Sequence, residues 1–156
     1  MKIRLAASQD IPALAQMRWD FKIETKPSRA ANDKPAFLNN YCDFLITHLQ
    51  DPMIKTWVAE EDNQLVAQVQ LQICPQLPAP GNWNRALGIV SNVYTQPTHR
   101  GRGIARQILT TLIDDCKNNQ VYKLELVPRT EAISLYQAVG FDWANNIMSL
   151  KLTVQN

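Results

Sequence analysis

Hydrophobic positions change their period along this chain, and each change marks an element. In residues 2–6, Ile3 and Leu5 share one face, the alternation of a short strand. Beyond Ser8-Gln9-Asp10, the residues Ile11, Leu14, Ala15 and Arg18-Trp19 fall near one side of a helix. Asp10 is its expected cap and Pro12 sits in its first turn. Residues 22–34 lose the period and carry Pro27, Ser28, Asn32 and Asp33, so they read as a loop. Pro35 opens a second helix, in which Phe37, Leu38, Tyr41, Phe44, Leu45, His48 and Leu49 recur at helical spacing until Asp51-Pro52. His48 stands in that apolar stripe and reads as a core histidine.

The period then shifts to two. Residues 54–60 form one strand and Glu61-Asp62-Asn63 a turn. Leu65, Ala67, Val69, Leu71 and Ile73 next alternate with Val66, Gln68, Gln70 and Gln72. This predicts a hairpin with one buried and one more polar face. Residues 75–84 hold three prolines and read as a stiff loop, followed by a strand at 87–95. A strong apolar stripe (Ile104, Ala105, Ile108, Leu109, Leu112, Ile113, Cys116) makes 103–117 a helix. A strand at 122–127, a short helix at 130–139 stopped by Gly140, and a last strand at 147–152 complete the order. The expectation is one α+β domain over residues 1–156, a mixed central sheet flanked by helices, in the order β-α-α-β-β-β-α-β-α-β.

Composition narrows the function classes. The 156 residues carry 16 basic and 14 acidic side chains, a balance that gives no general footprint for nucleic acid. No apolar run approaches the ~18 residues of a membrane span, and the start of the chain turns polar too early for a secretory signal. Cys42, Cys74 and Cys116 form neither a metal pattern nor a disulfide framework. These features predict a cytoplasmic protein without a metal. The 12 Asn and 13 Gln are left without a functional account.

Chemistry concentrates in Val93-Tyr94-Thr95-Gln96-Pro97-Thr98-His99-Arg100-Gly101-Arg102-Gly103-Ile104-Ala105, where a strand runs into a glycine turn that opens a helix. The first N–H groups of a helix lack internal partners, and its dipole favours anions there. Gly101 and Gly103 permit positive φ and close approach, while Arg100 and Arg102 add charge. A glycine pair before a helix is often only structural. The sequence holds neither a P-loop nor a dinucleotide fingerprint.

The run Arg100-x-x-Gly103-x-Ala105 resembles the acyl-CoA-binding motif of the GCN5-related N-acetyltransferase (GNAT) superfamily. The lead-in Asn92-Val93-Tyr94-Thr95-Gln96-Pro97 is similar to the family's strand before that turn. Ala132-Ile133-x-Leu135-Tyr136-x-x-x-Gly140-Phe141 resembles its second signature. The resemblance implies an acetyl-CoA-dependent N-acetyltransferase that moves the acetyl group directly to a primary amine. The cosubstrate would lie between the strands at 87–95 and 122–127, which splay in such folds. Its pantetheine arm would meet Val93, Tyr94 and Thr95. Its pyrophosphate would meet Arg100, Gly101, Arg102, Gly103, Ile104 and Ala105. Arg102 and Lys117 are candidates for the adenosine-side phosphate.

The resemblance also makes Tyr136 the general acid, since a phenol keeps its proton at neutral pH. Many relatives carry a carboxylate on the strand before the turn; here that strand has none, and Ser91 or Asn92 could hold a relaying water instead. Asp20, Glu24 and Glu125 are other candidate bases. Arg129-Thr130 departs from the Asn that relatives often place there. The acceptor would enter between the first two helices and the central strands, flanked by 22–34 and 75–84, with Trp19, Gln70 and Trp83 as substrate-side candidates. A small-molecule amine is expected, with a protein N-terminal or lysine amine as the alternative. A sensor that binds acyl-CoA without turnover is the alternative of another class. A homodimer is compatible with the resemblance, though no interface is legible.

Overall fold

Asp62 and Asn63 turn the chain with φ of 51° and 60°, a left-handed conformation that short polar side chains tolerate. The turn joins β2 (Ile54–Glu61) to β3 (Gln64–Gln76) in an antiparallel hairpin. The computed structural model of the chain describes residues 1–83 and 85–143. Around the hairpin, β1 (Lys2–Leu5) pairs with β2, and β4 (Arg85–Thr95) pairs with β3, both antiparallel. β5 (Val121–Glu125) joins β4 in parallel, so the spatial order is β1-β2-β3-β4-β5. The helices are α1 (Ile11–Thr25), α2 (Lys34–His48), α3 (Ile104–Asn118) and α4 (Ile133–Ala138). This is the mixed α+β arrangement expected. The strand expected at 147–152 lies outside the described residues.

Helices cover both faces of the sheet. On one, Ile108, Leu109 and Leu112 of α3 pack on Ala67, Val69, Leu71 and Val90. On the other, Ile11, Leu14 and Met17 of α1 and Leu45 of α2 pack on Val58, Leu65 and Tyr94. Each such large side chain, fully buried, contributes about 1.5–3 kcal/mol of transfer free energy. Two-sided cover corrects the expected polar face of β3. Every residue from Leu65 to Leu71 is buried, Gln68 at 0% and Gln70 at 8% exposure. Gln68 pairs laterally with Val58 and Tyr94, which places it on the α1–α2 side.

Element ends move for local reasons. The expected loop at 22–34 is shorter: α1 runs to Thr25 and a 3₁₀ turn occupies Pro27–Ala31. Asp33 then caps α2, its Oδ1 accepting the Ala36 N–H at 3.0 Å. Asp10 does not cap α1. It accepts the Ala7 N–H at 2.7 Å and the Arg4 guanidinium at 2.6 Å. The strands on either side of the Pro-rich loop extend into it, with Gln76 pairing Arg85. His48, at the end of α2, is 36% exposed and packs on Phe44 rather than filling the core. Gly88 lets β5 close on β4: a Cβ there would meet Leu124 Cδ2 at 2.5 Å.

Candidate active site

The register of β3 and β4 breaks at one place. Gln68 pairs with Tyr94 but Gln70 with Ser91, so Val69 alone faces Asn92 and Val93. This is a β-bulge, and Asn92 adopts φ 52° within it. Asn92 is buried, and its Oδ1 accepts a hydrogen bond from Arg18 Nη1 at 3.0 Å. The bulge bends β4 where β5 leaves it. Pairing of the two strands stops at Ile89 and Glu125, while β4 continues to Thr95. Pro128, which has no N–H to donate, follows soon after the end of β5. The β5-facing edge of β4 from Val90 to Thr95 therefore has no strand partner among the described residues.

β4 then delivers the chain into the glycine turn. Gln96 anchors the exit: its N–H reaches Val66 O at 2.9 Å and its Nε2 reaches Leu65 O at 3.0 Å. Gly101 and Gly103 have φ of 74° and 72°, and nothing stands within 4 Å of a Cβ built on either. Gly103 is the N-cap of α3 and supplies no side-chain hydrogen bond, so the first N–H groups of the helix are left without that cap.

The charge of the turn is more balanced than its sequence implies. Arg100 Nε donates to Thr95 O at 3.0 Å, and its Nη2 reaches Glu24 of α1. Arg102 makes a two-pronged pair with Glu61 at 2.8 and 2.7 Å, and His99 stands 3.6 Å from the same carboxylate. Both arginines are thus tied to acids from elsewhere in the fold, and these pairs hold the turn against α1 and β2. Lys117 is at the opposite end of α3, roughly 20 Å away by helix rise, which removes it as a phosphate contact beside Arg102.

A cavity of about 510 Å³ opens between the splayed strands and above the turn. Of the sequence-predicted residues, Asn92, Val93, Tyr94, Thr95, Arg100, Gly101, Gly103, Ile104, Ala105 and Tyr136 all line it; Arg102 does not. Leu126 and Val127 form the far wall. Tyr136 enters from α4, its ring edge-on to Phe141 at 6.0 Å, and burial pushes its phenol above the usual range. A larger hollow of about 720 Å³ runs along β5 to Trp143, the last described residue. It shares Tyr136 but includes neither the glycine turn nor β4, so the smaller cavity is the candidate site.

The substrate-side candidates separate. Gln70 lies on the floor under α1 and α2, next to Tyr41. Trp19 packs on Phe37 of α2 with centroids 5.4 Å apart. Trp83 is 71% exposed beyond the far end of the β3–β4 hairpin. Seven strand residues, roughly 23 Å, separate Arg85 from Asn92, so neither Trp83 nor its loop borders the site. Among the candidate bases, Glu24 lines the cavity, Asp20 accepts from Gln16 Nε2 at 2.7 Å, and Glu125 pairs with Lys123. Sequence reading missed Arg18. Its signal was a cation on the apolar stripe of the first helix.

No cluster of metal-ligating side chains and no helix long and apolar enough to cross a membrane occurs among the described residues. The pattern of the Acetyltransferase (GNAT) family matches residues 11–141. A glucosamine 6-phosphate N-acetyltransferase from Trypanosoma brucei brucei is 24% identical over 98 residues, 63% of this chain and 65% of that one. The chain therefore matches just under two thirds of that relative's length. A predicted acetyltransferase with acetyl-CoA from Clostridium acetobutylicum superposes with TM-score 0.80 at 25% identity, covering 96% of this chain and 95% of that one. A glucosamine-6-phosphate N-acetyltransferase from Arabidopsis thaliana superposes with TM-score 0.72 at 17% identity, covering 97% and 98%. At that identity the second likeness is one of fold.

Proposed function

The chain belongs to the acetyltransferase (GNAT) family, and on that premise we propose that it is an acetyl-CoA-dependent N-acetyltransferase acting on the primary amine of a small molecule. The observation that carries the reading is the edge of β4 from Val90 to Thr95, without a strand partner among the described residues, running directly into an uncapped helix N-terminus. An extended arm can add to such an edge as a strand would. A pyrophosphate suits the N–H groups of Gly101 to Ala105, where the absent Cβ atoms leave room.

Acetyl-CoA supplies an activated acetyl thioester. The chain's own groups do the rest. Backbone N–H groups of Val93 or Tyr94, at the bulge, hold the carbonyl oxygen and the charge that develops on it. The amine nitrogen bonds to the acetyl carbon as the carbon–sulfur bond breaks. Tyr136 donates its proton to the departing thiolate, and burial keeps that proton in place at neutral pH. The attacking amine gives its proton to water held by Ser91 or Asn92.

The small-molecule acceptor is supported by the relative that acts on glucosamine 6-phosphate. One observation favours a binding-only sensor: β4 carries no carboxylate facing the cavity. Thiol release separates the readings. Acetyl-CoA should raise the melting temperature, and free CoA thiol should appear when a suitable amine is added. Stabilisation without thiol release across a broad panel of amines and peptides would favour the sensor. No stabilisation at millimolar acetyl-CoA would end both readings.

A further inference from the structure

A half-buried arginine without an anion is unusual, because desolvating its charge is costly. Arg4, Arg100, Arg102 and Arg129 each meet a carboxylate. Arg18 meets none among the described residues. Its Nη1 bonds Asn92 Oδ1 at 3.0 Å, and its Cζ stands 5.9 Å from the centroid of the Tyr41 ring. A guanidinium offers five donors in a planar fork, of which this contact uses one.

The acids along the same helix are engaged elsewhere, Asp20 with Gln16 and Glu24 with Arg100. Two further cations, Lys22 and Arg29, act in the same region. Burial and the neighbouring Arg18 and Arg29 lower the affinity of Lys22 for its proton. Burial likewise works against the Arg18 charge, with Arg29 adding repulsion. Tyr41, buried beside them, is held neutral. Arg18, Lys22 and Arg29 thus place positive charge beside the gap between α1, α2 and the sheet.

A second observation points to the same place. Asn92 Nδ2 and, Tyr41 aside, Gln70 Nε2 are buried without hydrogen-bond partners, as are both polar atoms of Gln68. These residues are 4%, 8% and 0% exposed. Gln70 pairs laterally with Ser91, next to Asn92, so the amides and Arg18 gather at the bulge. Buried donors left unpaired are rare and call for a partner.

We infer that Arg18, flanked by Asn92 and Gln70, reads an anionic group on the acceptor, so that the substrate is a small primary amine bearing a phosphate or carboxylate. This deepens the acetyltransferase reading and rests on it. Arg18 is one hydrogen bond from Asn92, and Asn92 precedes Val93 at the free edge of β4. The anion and the attacking amine are thus only a few bonds apart, which limits the size of the acceptor.

Matched amines test the inference: O-phosphoethanolamine against ethanolamine, and phenylalanine against phenethylamine. For the wild-type chain, thiol release should give the anionic member of at least one pair a kcat/KM higher by about 10–100-fold, as a charge-assisted hydrogen bond warrants. Which pair discriminates identifies phosphate or carboxylate. In Arg18→Gln that ratio should collapse towards unity, while Arg18→Lys should keep part of it. Calorimetric binding of the same amines to the acetyl-CoA-loaded chain gives an independent readout that needs no turnover. Equal use and equal binding of both members of both pairs by the wild type would overturn the inference, as would a ratio unchanged in Arg18→Gln. Either failure leaves acetyl-CoA stabilisation and thiol release intact, whereas failure of the parent reading abolishes thiol release from every amine.

Discussion

Arg18 on α1 and Asn92 on β4 are joined by a 3.0 Å hydrogen bond across 74 residues of sequence. The bond ties α1 to the bulge from which β4 and β5 part. It also fixes the Asn92 side chain while the backbone holds φ at 52°.

Asn92 should therefore respond to two separable effects. In Asn92→Gly the backbone stays unstrained and only the Arg18 contact is lost. In Asn92→Val a β-branched side chain must adopt the same φ, at a further cost of about 1–3 kcal/mol. Chemical denaturation should rank the stabilities wild type, then Gly, then Val. Equal stability of the two variants would show that the backbone relaxes out of its left-handed conformation.

Tyr136→Phe should leave the fold and acetyl-CoA affinity close to wild type, since a phenyl ring keeps the T-shaped packing on Phe141. Loss of a general acid should lower kcat by about 10²-fold or more. Because burial raises the phenol's pKa, its proton is retained through the neutral range and is lost only above the ordinary tyrosine value. Unchanged kcat would assign thiolate protonation to water.

At the turn, Gly103→Ala tests a conformational cost free of steric conflict. Nothing stands within 4 Å of the added Cβ, so the penalty is that of a left-handed non-glycine residue, about 1–2 kcal/mol. Melting temperature should fall by about 2–4 °C per kcal/mol. The methyl also intrudes on the open cradle, so acetyl-CoA should stabilise the variant less than the wild type. A full ligand-induced shift would place the pyrophosphate elsewhere.

Asp10 provides a pH test of stability. Its side chain is 6% exposed, and hydrogen bonds from Arg4 hold its carboxyl below the usual carboxylate range. A depressed pKa contributes stability that is present above the unfolded value near 4 and is lost as pH falls through the folded one. Asp10→Asn should cost about 1–3 kcal/mol at neutral pH and flatten the decline on acidification. An unaltered acid profile would shift that role to other carboxylates.

The helices, the hairpin, the glycine turn and the Tyr136 signature were legible in the sequence because each is set by neighbours close in the chain. Apolar spacing of Ile104, Ile108 and Leu112 specifies a helix wherever that helix lands. Positive φ at Gly101 and Gly103 is a local need that glycine alone meets cheaply. Contacts between distant segments were not legible. Gln68 and Gln70 read as part of a more polar face because alternation reports polarity, whereas burial depends on whether α1 and α2 close over the strand; Gln72, the next in that row, is exposed. Arg100 and Arg102 looked free because Glu24 and Glu61 precede them by 76 and 41 residues. Trp83 and Asn92 looked equally near the site until strand length separated them. The sequence by itself determined the elements and the glycine turn, through backbone sterics and hydrophobic period. Only the tertiary structure decided which charges are neutralised, which amides are buried, and that Arg18 is left facing the bulge, because those depend on packing between segments remote in the chain.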